Sequence, residues 1–288
     1  MYIVLFHRYD RLGCNLMNYI AQIIYAYHHG YYIKFIDNKY NYPKYPNSKY
    51  YIILVNYIKN VLNVINDNHN CYHLGLDDEV LYNFNKYDIQ LYSGFVTQSI
   101  KCDLLSYFHK YIFNDLDFKD LNEFYNDVTY DFNNSIFCHL RLDDVAHKTD
   151  FDGKICSKYY KLLIENNKPT HNRFYEYINN HSPLSNEKII TMINDAKNMY
   201  PNDKLYMVTS PISNTDFNEY EILSNEDVDK DLFILCNSKK SILSRSMYAL
   251  SSLFFSKPKE YCYLPSWGFF VTTGLNTKYD NNRFKYIY

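Results

Sequence analysis

Glycine and proline are scarce in this chain of 288 residues, with 7 Gly and 8 Pro, and there is a single Trp. Each glycine that remains is therefore informative. No GxGxxG fingerprint follows the first predicted strand, which removes support for a dinucleotide site of the usual kind. No run of about 18 apolar residues occurs, so nothing is expected to span a membrane. A basic surplus is also missing: the formal net charge is −2, which argues against a nucleic-acid partner. The 7 cysteines are scattered without CxxC spacing. An odd number without a secretory leader suggests reduced thiols, many of them buried. No Cys/His set has zinc-site spacing, and the adjacent His28 and His29 would point about 100° apart on a helix, a poor chelate. The start, MYIVLFHRYD, lacks the long apolar centre of a signal peptide and carries Arg8. These absences lead to the expectation of a soluble cytoplasmic protein.

What is present is a hydrophobic fraction of 47%, enough for one large core or two smaller ones. Length favours two domains of about 140 residues. Tyr occurs 34 times, and Asn, Ile and Lys are frequent. AT-rich codons produce that bias, so the tyrosines are read as drift and not as a carbohydrate-stacking surface.

Strand and helix patterns alternate along the chain. Tyr2–Phe6 is β-rich, and residues 16–29 place apolar side chains at helical spacing up to Gly30, a helix stop. YYIKF (31–35) follows as a strand, giving a strand–helix–strand start to a parallel layer. YIILV (51–55) is expected as a buried strand and residues 57–65 as a short helix. DIQLYSGF (88–95) reads as a strand and residues 99–113 as a helix. Residues 114–134 are acidic and polar, and a domain boundary is placed there, giving domains 1–132 and 133–288. The second half restarts with SIFCHL (135–140) as a strand and KYYKLLIEN (158–166) as a helix. Ser185 is expected to cap a helix over 187–200, followed by a strand at 204–210, a helix at 228–238 and a strand at 241–243. A helix over 246–255 and a last strand at 260–265 complete the pattern. Two successive α/β units imply two Rossmann-like layers, with ligands outside the C-terminal strand ends.

Three stretches at such ends carry candidate chemistry. His139, Arg141, Asp143 and Asp144 end the strand at 135–140, with His147 just beyond. A guanidinium forks two hydrogen bonds onto a phosphate or carboxylate, so Arg141 suits a pyrophosphate; it equally suits an internal salt bridge to Asp143 or Asp144. Ser244, Arg245 and Ser246 open a helix after a strand, where free N–H groups and hydroxyls favour an anion. An ordinary N-cap serine is the alternative reading of this stretch. Ser210 ends a third strand, and Gly13 in DRLGCNLMNY (10–19) would let a ligand approach the backbone. Asp143 and Asp144 are adjacent and form no DxD pair, so no metal site is expected there.

Taken in order, several stretches resemble the α1,2-fucosyltransferases, within the wider HxRRxD-type group of GDP-fucose fucosyltransferases. DRLGCNLMNY looks like their G-R-L-G-N-Q segment, GFVTQS (94–99) like G-Y-x-Q-S, and HLRLDD (139–144) like H-x-R-R-G-D. KLYMVTSP (204–211) occupies the place of a strand ending in S-D-D, KKSILSRSMYALSS (239–252) that of I-I-x-[NS]-S-[ST]-F-S-W-W, and YLPSWGFF (263–270) that of P-x-x-W. The likeness runs over nearly the whole chain. It departs at Asp10, Cys14, Asn15, Leu142, Asp143, Pro211, Ala249 and Leu250.

The resemblance implies an α/β, GT-B-like fold of two Rossmann-type domains, with the active site in the cleft between them. It implies an inverting, metal-independent transferase using GDP-β-L-fucose as donor, a glycan acceptor and no resident cofactor. By the same resemblance Arg141 stabilises the leaving diphosphate, and Ser244, Arg245 and Ser246 cradle it. Gly13, Cys14, Asn15, His139, Asp143 and Ser210 become donor-site candidates. Asp144 or Asp143 is the motif's acid, and Asp10 is a candidate general base. Without a membrane anchor, a bacterial enzyme or a viral one made in the host cytoplasm is expected. Another GDP-sugar donor, or a glycan-binding protein on a degenerate transferase scaffold, stays open as an alternative.

Overall fold

Leu16, Ile20, Ile23 and Ile24 recur at helical spacing and are fully buried, and they form one side of helix α1, Leu12–His29. Its end is set by Gly30 at φ 67°. The Tyr31 N–H donates to the Ala26 carbonyl at 2.8 Å and the Gly30 N–H to Tyr27 at 3.4 Å, the paired bonds of a Schellman cap. The computed structural model describes residues 2–5, 12–35, 45–67, 104–141, 147–151, 154–156, 184, 186–209, 217, 219–225, 227–265 and 284–287. These residues form two compact units, one reaching to Asp127 and one beginning at Val128.

In the first unit α1 connects two parallel strands, β1 (Tyr2–Leu5) and β2 (Tyr32–Phe35), in register from Tyr2 against Tyr32 to Leu5 against Phe35. Helix α2 (Lys49–Tyr57) continues into a π-helical turn at Ile58–Leu62 and then α3 (Asn63–Asp67). Asn63 closes the free edge of β2. Its Oδ1 accepts from the Ile33 N–H at 2.9 Å and its Nδ2 donates to the Ile33 carbonyl at 3.1 Å. Helices α4 (Leu104–Tyr111) and α5 (Lys119–Phe124) complete the described part of this unit.

The strand expected over 51–55 is helical. A short apolar run is ambiguous in isolation. Here Ser48 caps it by accepting from the Tyr51 N–H, and the buried set Tyr50, Ile53, Leu54, Tyr57, Ile58 and Leu62 follows a helical period. Ile52 is left facing solvent. The predicted strand at 88–95 and helix at 158–166 lie outside the described residues. Of the helix predicted over 99–113, the described part is α4.

The second unit is a six-stranded, all-parallel sheet in the order β10-β9-β8-β3-β6-β7. Its strands are β3 (Ser135–His139), β6 (Lys204–Val208), β7 (Glu221–Leu223), β8 (Lys240–Ile242), β9 (Tyr261–Pro265) and β10 (Phe284–Ile287). Counted along this unit, the order is third, second, first, fourth, fifth, sixth, that of a doubly wound α/β sheet. A two-stranded antiparallel hairpin, β4 (His147–Phe151) and β5 (Lys154–Cys156), follows β3. Three helices belong to the described part: α6 (Asn186–Met199), α7 (Val228–Asn237) and α8 (Met247–Phe254). Strand β9 is not the last, as the sequence pattern suggested, because β10 pairs beside it. Strand β7 and the hairpin also escaped the pattern, being short.

Strand β3 is buried along its whole length, as the middle strand of such a sheet must be. Ile136, Cys138 and Leu140 face Ile189, Met192, Ile193 and Ala196 of α6. On the opposite face Phe137 stacks on Tyr206 with ring centres 5.1 Å apart. The His139 ring on that face lies 5.7 Å from Tyr248 of α8. Cys14, Cys138, Cys236 and Cys262 are not in disulfides, and Cys138, Cys236 and Cys262 are buried.

At the N-terminal ends of the strands one ammonium ties three of them together. Lys240 Nζ, at the start of β8, sits 2.6 Å from Asp203 Oδ2 before β6 and donates to the Asn133 carbonyl before β3 at 2.6 Å. Both side chains are nearly sealed from water, at 5% and 11% exposure. Removing one partner of a buried pair leaves the other charge stranded. Lys240→Ala is expected to lower unfolding stability by about 3–5 kcal/mol in urea denaturation. The paired change Lys240→Met with Asp203→Leu is expected to recover most of that loss.

Candidate functional site at the reversal of strand order

The order of a doubly wound sheet reverses between its first and fourth strands, here β3 and β8, and successive connections leave in opposite directions. A crevice must open there at the C-terminal edge. His139 and Arg141 come from the end of β3, and Ser244, Arg245 and Ser246 from the turn between β8 and α8. These residues were singled out from the sequence, and the fold brings them together.

Two hydrogen bonds cross the reversal. His139 Nδ1 and Ser244 Oγ are 2.6 Å apart, and both residues are buried. Arg141 Nη1 donates to the Arg245 carbonyl at 3.2 Å. Arg141 thus braces the turn whose residues were predicted to cradle an anion. The Ser246 hydroxyl accepts from the Ala249 N–H at 3.5 Å, so it serves as the N-cap of α8. Behind these groups Leu184, Ile189, Met192 and Ile242 form an apolar wall.

Burial, and secondarily the charge of Arg141, push the His139 imidazole down to about 3. His139 is therefore neutral at physiological pH. It can exchange a hydrogen bond with Ser244 but contributes no cation. Arg245 is half-buried, and burial lowers its pKa as well. Below His139, Tyr248 is half-buried and its hydroxyl donates to the Val228 carbonyl. Asp231 nearby is pushed up to about 7, chiefly by burial, although it accepts from Asn225 Nδ2 at 2.5 Å.

Lys188, in the first turn of α6, also belongs to this edge. Burial first, and then the charge of Arg245, lower its ammonium pKa. The sequence held a signal for it that was not used: a cation in a helix's first turn opposes the macrodipole. Gly13, Cys14 and Asn15 lie in the first turn of α1, in the first unit; Cys14 is half-buried, and Gly13 and Asn15 are buried. Asp10, Asp143, Asp144 and Ser210 lie outside the described residues, as does the Ser185 cap. His147 begins β4, opposite Cys156.

Comparison with protein-family models, curated proteins and solved structures finds no match to this chain. Function must be inferred from the chain's own chemistry. Among the described residues no group of three or more His, Cys, Asp or Glu is placed to hold a metal ion. No described helix is long and apolar enough to cross a membrane.

The neutral His139 makes an acid-sensitive latch. Its folded pKa lies below the unfolded value of about 6.5, so its stabilising effect is complete above 6.5 and is lost as pH falls toward 3. His139→Asn keeps an acceptor and donor near Ser244 without the titration. The wild-type melting temperature is expected to fall more steeply than that of His139→Asn between pH 7 and 4 in calorimetric scans. Parallel profiles would remove the latch.

Proposed function

We propose that the chain is an inverting glycosyltransferase that moves L-fucose from GDP-β-L-fucose to a hydroxyl of a glycan. In this reading the two units are the Rossmann-type domains of a GT-B architecture, and the second holds the donor. The observation that carries it is the meeting of Arg141 with the Ser244–Ser246 turn at the strand-order reversal. That position is where doubly wound sheets take nucleotides. The HLRLDD and SILSRS motifs that resemble the fucosyltransferases supply these residues.

The chemistry asks for what this edge offers. The bond from the anomeric carbon to the β-phosphate oxygen breaks, and its electron pair leaves with GDP. The acceptor oxygen bonds to the anomeric carbon from the opposite face and gives its proton to a base. Negative charge grows on the departing diphosphate, and fixed guanidinium groups stabilise it without a metal ion. Arg141 and Arg245 fill that role, and N–H groups at the start of α8 add to it. Neutral His139 orients Ser244 and gives the nucleotide an uncharged wall. Asp144, Asp143 and Asp10 are the candidates for the acid partner and the base.

A glycan-binding protein on a degenerate transferase scaffold is the second reading. It is favoured by one observation: the hydroxyls of Ser244 and Ser246 are both engaged within the protein.

Calorimetric titration with GDP, GDP-fucose, GDP-mannose and UDP-galactose separates these readings. The expected outcome is preferential binding of GDP-fucose, weakened at least about ten-fold by Arg141→Ala, a loss of about 1.4 kcal/mol or more. Equal binding of GDP-fucose and GDP-mannose would leave a GDP-sugar site without fucose specificity. Flat titrations with all four nucleotides would reject the donor reading.

A further inference from the structure

We propose that the crevice beside Arg141 is a methyl pocket: it seats the C6 methyl of the L-fucosyl group and makes the site select a 6-deoxysugar over the same sugar carrying a 6-hydroxyl. This rests on the transferase reading for the donor, and the size and polarity of the crevice carry the rest.

From the C-terminal edge the crevice runs along the face of the sheet that α6 covers. Cys138 and Leu140 of β3 and its continuation line it together with Ile242 of β8. Cys138 and Ile242 are partners across the two strands, so their side chains leave the sheet on the same face. Ile189 and Met192 of α6 close it from the helix side, with Leu184 just before that helix. All of these residues are buried. Burial pushes the Cys138 thiol up to about 12, so no charge enters this wall. The polar lining residues, His139, Arg141 and Ser244, come from the strand ends, where His139 Nδ1 and Ser244 Oγ already hold each other at 2.6 Å.

The enclosed part of the crevice has room for about one water-sized group. A nucleobase or a pyranose ring is too large for it. Guanine would also leave its edge donors and acceptors unpaired against an apolar wall, and ribose its hydroxyls. Of the groups that GDP-fucose carries, only the C6 methyl is both apolar and of that size. The sugar is bonded directly to the diphosphate, and the pocket shares Arg141 and Ser244 with the edge proposed to hold that diphosphate. A 6-hydroxyl in the same place would be a polar group buried without a partner, in a space that lacks room for the added atom.

The test titrates GDP, GDP-L-fucose and GDP-L-galactose into the full chain; the two sugar nucleotides differ by the 6-hydroxyl alone. It uses wild type, Ile189→Val, which opens the pocket by one carbon, and Met192→Gln, which places an amide partner in it at nearly the same volume. The wild type is expected to bind GDP-L-fucose at least about ten-fold more tightly than GDP-L-galactose. Both variants are expected to bind GDP within about two-fold of wild type and to cut the preference to about three-fold or less. Ile189→Val removes a single carbon, so it tests the pocket even where a buried amide at position 192 disturbs folding. Equal affinity of the wild type for the two sugar nucleotides, with GDP bound, would overturn the methyl pocket and spare the donor reading. An undiminished preference in Ile189→Val would likewise overturn the assignment of this crevice. Absence of GDP binding to the wild type would overturn the donor reading and the pocket with it.

Discussion

The second unit depends on how its central strand is held at both ends. Strand β3 has neighbours on each side, helices over each face and is buried along its length. Its N-terminal end is fixed by the Lys240 ammonium, which joins the starts of β3, β6 and β8 through one buried charge. Its C-terminal end is fixed by His139 to Ser244 and by Arg141 to the Arg245 carbonyl. Both fixings join β3 to β8, the pair between which the strand order reverses. The crevice therefore opens beyond the C-terminal ends of two paired strands that are tied together at top and bottom. Preorganised donors are worth more than mobile ones because no reorganisation is needed when charge develops.

This explains how His139 and Arg141 divide their work. They are two residues apart on a strand and its continuation, so they leave the sheet on the same face. His139 is far enough inside to lose its charge, and Arg141 is far enough out to keep it. A guanidinium retains its proton under nearly any burial, and an imidazole does not. One short segment thus supplies a neutral latch beneath and a cation above. Reversing the two residue types would bury the cation and put the titratable group at the ligand.

Much of the second unit could be read from the sequence because its signals are local. SIFCHL, KLYMV and the helices over 187–200 and 246–255 announce themselves by period and by caps. The gathering of His139, Arg141 and Ser244–Ser246 followed from one topological rule about strand ends. Other features depend on tertiary context. YIILV is apolar throughout, and only the cap at Ser48 and the buried positions out to Leu62 make it a helix. The EIL and FKYI strands are short and at or near the edges of the sheet, where pairing and not composition creates the strand. The neutral state of His139 and the raised carboxyl of Asp231 come from burial that no spacing reveals. Lys188 was hidden for a different reason: a lysine beside Glu187 in a helix's first turn looks like part of a solvated face until the sheet order places that turn at the crevice.

The electrostatics of the edge limit what can occupy it. The chain as a whole is slightly acidic, at −2, so its positive potential is local and does not extend over a surface. A polyanion such as nucleic acid is recognised by a broad basic face that contacts many phosphates. A crevice lined by Arg141 and backed by an apolar wall of Leu184, Ile189, Met192 and Ile242 fits a small ligand instead. Such a ligand needs concentrated negative charge at one end and a body that tolerates an apolar, uncharged surface at the other. A nucleoside diphosphate has that shape of charge. On the proposed transferase reading, fixed guanidinium groups would hold the leaving diphosphate more tightly than the intact donor, and that difference is what would lower the barrier.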